Sequence, residues 1–124
     1  MVEEEKVANN RLKNHVFRQP IGAAIYATST LTKYKRGIIT EEFLKCSNVK
    51  NEVNHGVTIV GYGTVPKGDS ARVWCSDYWI VRNSWGSNWG EDGFFKLCMD
   101  NAGQANTPLG TCLINKYITF PTMQ

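Results

Sequence analysis

Residues 78–95 read YWIVRNSWGSNWGEDGFF, and the rest of the chain can be placed relative to them. Its first four positions are aromatic or β-branched, glycines interrupt its middle, and two phenylalanines restart the apolar pattern at its end. The pattern predicts a β-hairpin with a long loop. Trp85 and Trp89 in that loop are bulky and costly to leave in water, so we expect them to cover the polar Asn83. An amide beside an indole can hold one strong orienting hydrogen bond, because water does not compete for it.

A second stretch, residues 53–63, reads VNHGVTIVGYG and places a histidine at the start of another strand. His55 precedes an apolar run that begins at Val57, and a Gly-Tyr-Gly turn is predicted to end this strand. His55 and Asn83 are therefore expected to head neighbouring strands, where the amide can fix the orientation of the imidazole.

Together the two stretches resemble the C-terminal half of the papain-like cysteine peptidases, the cathepsin and plant-protease family. The resemblance implies an α+β fold in which a mainly antiparallel, β-barrel-like C-terminal domain carries one N-terminal helix. It also implies that residues 1–124 form a single domain, the half of the peptidase that carries the histidine and the asparagine. The N-terminal domain with the nucleophilic cysteine is expected to be absent from this chain.

Charge and hydropathy exclude several classes of partner. The formal charge of +3, from 14 basic and 11 acidic residues, is too small and too scattered to indicate nucleic acid or an anionic membrane as a partner. Hydrophobic residues make up 42% of the chain, which suits a folded domain, and no apolar run is long enough to span a bilayer. The opening residues carry three glutamates instead of a basic secretory leader, so we expect a fragment of a longer precursor, an artificially cut piece or an incomplete gene model.

The remaining elements are predicted from periodicity and turn residues. Residues 3–18 have the spacing of one helical face, with glutamates early and basic residues late, and Pro20 ends the helix. His15 lies among basic residues of this helix and is expected to be a surface histidine without a metal. The other predictions are, in order, a strand at 21–27, a loop at 40–52, a surface loop at 64–76 and a last strand at 113–120.

The four cysteines differ in how far their pairing can be predicted. By the resemblance, Cys46 and Cys112 match a disulfide of the family, and closing their interval should stabilise the fold by about 4 kcal/mol on chain-entropy reasoning. Cys75 and Cys98 lie on the two strands that flank the long loop. Counting from the turn places Cys98 opposite Tyr78, about three residues away from Cys75. A second disulfide and two free thiols, one or both of them buried, are therefore equal alternatives.

The resemblance also gives the site residues their roles. His55 would take the proton of the nucleophilic thiol and later protonate the leaving amine, while the Asn83 amide fixes the ring. Trp85 would shield their hydrogen bond with support from Trp89, and plain core packing is the alternative role for these tryptophans. For His55 the alternative is a structural histidine that the backbone satisfies.

The same resemblance implies a specificity pocket for the substrate residue two before the cleaved bond. On this side it would be lined by Ala24, Val53, Gly56 and Tyr117. The first three are small or apolar, which favours aliphatic or aromatic substrate side chains, and Tyr117 should make the pocket shallow. Asn54 stands where relatives commonly carry an aspartate.

The nucleophile of the family is missing from the sequence. In the family it lies in a Cys-Gly-Ser-Cys-Trp run, and none of the four cysteines here stands in such a run or opens a helix whose dipole could stabilise a thiolate. We therefore expect a cysteine-type endopeptidase domain that supplies the general base and its orienting asparagine but is inactive alone.

The expected partners follow from the resemblance. They are the missing N-terminal peptidase domain, peptide or protein substrates and cystatin-like inhibitors, and no metal or other cofactor is expected. Relatives are lysosomal, vacuolar or secreted, which is the localisation expected here. The alternative function is a non-catalytic domain, truncated or reused, that binds peptides or cystatin-like inhibitors.

Overall fold

In the computed structural model, the described residues are 3–46, 53–65, 75–99, 111–114 and 118–119, with side chains described for all of them except 3–9 and 113. These residues contain two α-helices and six strands. The elements are, in chain order, α1 (Glu3–Val16), β1 (Ile21–Ile25), β2 (Ile38–Ile39), α2 (Glu41–Leu44), β3 (His55–Thr64), β4 (Asp77–Arg82), β5 (Phe94–Cys98) and β6 (Ile118–Thr119). Short 3-10 turns occupy Ser29–Lys33 and Thr111–Leu113.

The six strands form one mixed sheet in the order β2-β5-β4-β3-β1-β6. The predicted hairpin is its centre, because β4 and β5 pair antiparallel on either side of the long loop. Only β2, which lies parallel to β5, departs from the antiparallel pattern. The α+β class agrees with the prediction, but the barrel-like closure is not found in the described residues. The two edge strands, β2 and β6, are two residues long and do not pair with each other.

One face of the sheet holds the core. Cross-strand pairing places four fully buried side chains in a row across four strands: Ile21, Ile59, Val81 and Phe95. Leu12 and Val16 of α1 join this core, which explains the apolar spacing of the helix. Lys13 of α1 also forms a 3.4 Å ion pair with Asp77. No helix in the described part of the chain is long and apolar enough to cross a membrane.

The predicted Gly-Tyr-Gly turn is wrong, because β3 continues through these residues to Thr64. Gly63 pairs with Tyr78 on β4, and a Cβ added at Gly63 would lie only 2.5 Å from the Tyr78 hydroxyl. Gly61 similarly lies beside the Ile80 side chain. The two glycines therefore leave room on β3 for the Tyr78 and Ile80 side chains of β4. Glycine within a strand can thus serve close packing as well as a turn.

Two further predictions need correction. The loop predicted at 40–52 contains α2, which is capped where the Thr40 side chain accepts a hydrogen bond from the Phe43 backbone (3.2 Å). Of the strand predicted at 113–120, the structure shows Ile118–Thr119 as β6, whereas residue 113 belongs to a 3-10 turn, and residues 115–117 and 120 lie outside the described part. The loop predicted at 64–76 falls mostly at 66–74, which also lies outside it.

Both cysteine pairs are disulfides in the structure. The expected bond joins Cys46 to Cys112, with a Cα separation of 5.5 Å, and the second joins Cys75 to Cys98 at 5.9 Å. Tyr78 does pair with Cys98, as counting from the turn predicted. The second bond still forms because the chain bends at residue 76 before β4 begins, so Cys75 does not continue the line of the strand.

Candidate active site

The structure brings His55 and Asn83 together at one end of the sheet. His55 is the first residue of β3 and Asn83 follows the last residue of β4, and these two strands are antiparallel neighbours. The His55 Nε2 atom lies 2.7 Å from the Asn83 Oδ1 atom. Asn83 is buried, and its backbone N–H donates to the Gly93 carbonyl at 2.9 Å, so the backbone of this residue is anchored to the loop.

The hydrogen bonds of Asn83 fix the tautomer of the imidazole. The backbone N–H of Ser84, which can only donate, lies 2.8 Å from Asn83 Oδ1, so this atom must be the carbonyl oxygen of the amide. An acceptor facing His55 Nε2 requires that nitrogen to carry the proton. The lone pair of the neutral ring is therefore on Nδ1, and Nδ1 is the atom able to act as a base.

The other end of the same amide has no partner. Asn83 Nδ2 is buried and makes no hydrogen bond within the described residues. A buried donor left unpaired costs about 1–3 kcal/mol, more than the roughly 1 kcal/mol that a typical hydrogen bond returns. Asn83 therefore orients the imidazole without a clear net gain in stability.

The two tryptophans of the loop differ in their surroundings. The Trp85 ring lies 5.1 Å from the His55 ring, centroid to centroid, yet its side chain is 42% exposed. Trp89 packs against the core, and its Nε1–H donates to the Leu31 carbonyl at 3.2 Å. The two indoles meet edge to face at 5.2 Å. Trp85 thus covers the imidazole, and Trp89 supports Trp85 from the core side.

The end of the loop is a tight one-rung hairpin. The backbones of Glu91 and Phe94 exchange two hydrogen bonds of 3.0 Å. Asp92 and Gly93 between them have positive φ angles of 56° and 94°, the geometry that Asp-Gly pairs favour in two-residue hairpin turns. The Asp-Gly pair was the sequence signal for this turn, and the interpretation as a single long loop missed it.

Asn54, the residue before the histidine, is held in place by its own side-chain amide. Its Oδ1 accepts from the Ala27 N–H at 2.7 Å, and its Nδ2 donates to the Ala27 carbonyl at 2.9 Å. A carboxylate has no proton to donate to that carbonyl. The asparagine therefore makes a two-sided clamp that an aspartate at this position does not make.

An open cavity of about 760 Å³ lies beside Asn83, and its lining includes Gly22, Thr58, Arg82 and Phe94, which alternate along their strands with residues of the buried row. Ala24 and Gly56, which pair across β1 and β3, both line it. Val53 is partly buried but does not line this cavity, and Tyr117 lies outside the described residues. The lining also includes residues that the sequence did not indicate, among them Thr58, Arg82 and Phe94. Among the described residues, no group of three or more His, Cys, Asp or Glu side chains is placed to hold a metal ion.

Comparisons with known proteins support the resemblance. The family model described as papain family cysteine protease matches residues 1–122. Ananain from Ananas comosus is 35% identical over 121 residues, which cover 95% of this chain and 30% of the relative. Procathepsin L from Felis catus is 38% identical over 105 residues, which cover 84% of this chain and 27% of the relative. The chain thus spans less than a third of the length of these relatives.

A solved structure shows the same arrangement of elements. The bromelain protease from Ananas comosus, in complex with the E64 inhibitor, superposes with a TM-score of 0.70 at 30% identity, covering 93% of this chain and 46% of that chain. The Amb a 11 cysteine protease of ragweed pollen, in its proform, gives a TM-score of 0.67 at 31% identity, covering 93% and 30%.

Proposed function

Because this chain belongs to the papain family of cysteine proteases, we propose that it supplies the histidine and the asparagine of a cysteine endopeptidase active site. Residues 1–124 are then the single domain that carries the general base. The observation that carries the proposal is the 2.7 Å contact between His55 Nε2 and Asn83 Oδ1, which leaves the basic lone pair on Nδ1.

In the proposed reaction, His55 Nδ1 takes the proton of the thiol, and the thiolate attacks the carbonyl carbon of the peptide bond. The imidazolium then gives its proton to the leaving amine, and the same nitrogen later activates the water that hydrolyses the acyl-enzyme. Nε2–H donates to Asn83 in both charge states of the ring. The imidazole therefore keeps one orientation through the cycle, and Trp85 limits the access of water to that bond.

The nucleophile comes from outside these 124 residues. All four cysteines of the chain are in disulfides, so none is available as a thiolate. The N-terminal peptidase domain of the family is the proposed partner that brings the thiol, and the isolated chain is proposed to be inactive. Disulfides persist in oxidising compartments, which supports a lysosomal, vacuolar or secreted protein.

The substrate is proposed to carry an aliphatic or aromatic side chain two residues before the cleaved bond. Ala24 and Gly56 meet across two strands and leave the cavity open, which supports a pocket for an apolar side chain. The resemblance adds Val53, which does not line this cavity, and Tyr117, which lies outside the described residues, to the proposed pocket. Peptides, protein substrates and cystatin-like inhibitors are the proposed occupants of this cleft.

The test reconstitutes the enzyme from two parts. The chain is refolded together with a cysteine-bearing N-terminal domain of the family, and complex formation is verified by gel filtration. We expect hydrolysis of a peptidyl amide and covalent labelling of the added thiol by a peptidyl epoxide, and neither with the chain alone. His55→Ala should abolish hydrolysis. His15→Ala, which changes the other histidine of the chain on the exposed side of α1, is the matched control and should retain it. A verified complex without hydrolysis would contradict the proposal.

The engagement of all four cysteines in disulfides also favours a second candidate for the chain alone, which is the binding of peptides or cystatin-like inhibitors without catalysis. Isothermal titration of an apolar peptide distinguishes the two candidates. A pure binding domain should keep its affinity in the His55→Ala variant and give an inactive complex with the N-terminal domain.

A further inference from the structure

The glutamate after the second tryptophan is tied to a distant part of the chain. Glu91 Oε2 accepts from the Gly37 backbone N–H at 2.8 Å and lies 3.0 Å from the Tyr34 hydroxyl. Its other oxygen, Oε1, lies 3.6 Å from Lys96 Nζ. The one-rung hairpin fixes the Glu91 backbone, so these contacts hold the segment of residues 31–37 against the loop.

The same segment holds Trp89. The Leu31 carbonyl accepts from the Trp89 indole, and the Tyr34 ring packs against that indole at 5.4 Å. Tyr34 is buried, and a Cβ added at Gly90 would lie 3.2 Å from its ring, so the ring and the loop backbone are in close contact. The position of Trp89 therefore depends on where the 31–37 segment lies, and Glu91 contacts that segment at Tyr34 and Gly37.

Trp85 has few contacts of its own. Its side chain is 42% exposed, and its ring contacts within the described residues are with His55 and Trp89. An exposed aromatic ring takes its orientation from the few groups that touch it. If Trp89 moves, Trp85 loses the surface that holds it over the imidazole.

We propose that Glu91 is a positioning residue: by holding the 31–37 segment against Trp89, it fixes the indole that covers the catalytic imidazole. That the imidazole is catalytic rests on the proposed function. The coupling from Glu91 to the His55 ring does not, because it is a property of the folded chain. Glu91 does not touch substrate or the reacting atoms, and it acts through Trp89 and Trp85.

The test uses the full chain and observes the imidazole by NMR. Glu91→Ala removes the acceptor of both hydrogen bonds, and we expect the indole N–H signals of Trp85 and Trp89 and the ring signals of His55 to move towards their values in an unfolded peptide. Glu91→Gln retains an acceptor oxygen, so most of this displacement should be absent in that variant. Glu42→Ala, which removes an exposed carboxylate on α2, is the matched control and should move none of these signals.

Two outcomes overturn the inference. The first is a Glu91→Ala variant in which the Gly37 amide signal shows that the contact is lost while the His55 ring signals stay in place. The second applies if Glu91→Ala does not fold, and it is measured on the Tyr34→Phe variant instead. This change removes the hydroxyl that lies 3.0 Å from the carboxylate and 2.7 Å from the Gly37 carbonyl, and it keeps the ring against Trp89, so it should move the His55 signals in the same direction by less. Unmoved signals in that variant overturn the inference as well.

Reconstituted enzyme separates this inference from the proposed function. We expect Glu91→Ala to lower kcat roughly tenfold through misplacement of the catalytic group, with KM little changed, and Glu91→Gln to recover most of the loss. If the unsubstituted complex does not hydrolyse peptides while the His55 signals respond to Glu91 as expected, the proposed function fails and the coupling stands. If hydrolysis is normal and unaffected by Glu91→Ala, the positioning role fails alone.

Discussion

The two faces of the sheet differ in how closely their side chains pack. On one face, the row formed by Ile21, Ile59, Val81 and Phe95 is fully buried. On the other face, the neighbouring row of Gly22, Thr58, Arg82 and Phe94 lines the open cavity, and Arg82 is exposed. Both rows cross the same four strands, β1, β3, β4 and β5. Their side chains differ, because they fill one face for stability and leave the other open beside Asn83.

The largest expected effect comes from two adjacent phenylalanines on opposite faces. Phe95→Ala should lower the free energy of unfolding by about 3–5 kcal/mol, because it opens a cavity in the buried row. Phe94→Ala should lower it by about 1 kcal/mol, because that side chain is only partly buried on the open face. Urea denaturation of both variants measures the difference. Equal losses would mean that the cavity face is as tightly packed as the core.

Two adjacent alanines test the same comparison by adding volume. Ala23 packs against the core, so Ala23→Leu should destabilise by about 1–3 kcal/mol through overpacking. Ala24→Leu places the same side chain at the open cavity and should change stability by less than about 0.5 kcal/mol. Thermal unfolding followed by circular dichroism compares them. A destabilised Ala24→Leu variant would show that the cavity is closed in solution. In the reconstituted enzyme, Ala24→Leu should also shift the substrate preference towards smaller side chains.

A smaller effect is expected from the glutamate at the loop. Burial would raise the pKa of Glu91, but the hydrogen bonds from Gly37 and Tyr34 and the charge of Lys96 outweigh it and lower the pKa below its usual value of 4.5. The stabilisation by this carboxylate is therefore fully present above about pH 4.5 and is lost as the pH falls through the lower folded value. Glu91→Gln should flatten the acid limb of a plot of unfolding free energy against pH. An unchanged acid limb would contradict the assignment.

The smallest effect has the opposite sign. Burial raises the pKa of Glu41, partly offset by a hydrogen bond from the Cys112 backbone. The folded chain thus binds this proton more tightly than the unfolded chain, and stability falls as the pH rises through the raised value. Glu41→Gln should make the protein slightly more stable at pH 7 and leave it unchanged well below pH 4. Chemical denaturation at the two pH values measures this, and a loss of stability at pH 7 would refute it.

The sequence predicted the centre of the sheet because the signals there are local. The apolar run before Asn83, the glycines after it and the apolar pattern after His55 are each read within a few residues, and they placed the two residues on neighbouring strands. By contrast, α2 has four residues, too few to show a helical period. The Gly-Tyr-Gly segment misled because glycines in a turn and glycines under a crossing aromatic ring look alike in sequence.

The role inferred for Glu91 could not be predicted from local patterns. Its partners Tyr34 and Gly37 are 57 and 54 residues away, and no short motif connects them. The second disulfide was undecided for a related reason. The offset between Cys75 and Cys98 was counted correctly for an extended strand. The bend at residue 76 that brings the two cysteines together appears only in the folded chain.

The unpaired Nδ2 of Asn83 makes this residue a marker of selection. An isosteric leucine would remove a buried donor that has no partner in the described part of the chain, and this relieves a cost of about 1–3 kcal/mol. The same change would leave the His55 Nε2–H and the Ser84 backbone N–H without their acceptor, which offsets that relief. In a lineage that still cleaves peptides, the need for an oriented imidazole keeps asparagine at this position. In a lineage that has lost catalysis that need is gone, so drift away from asparagine here should come early.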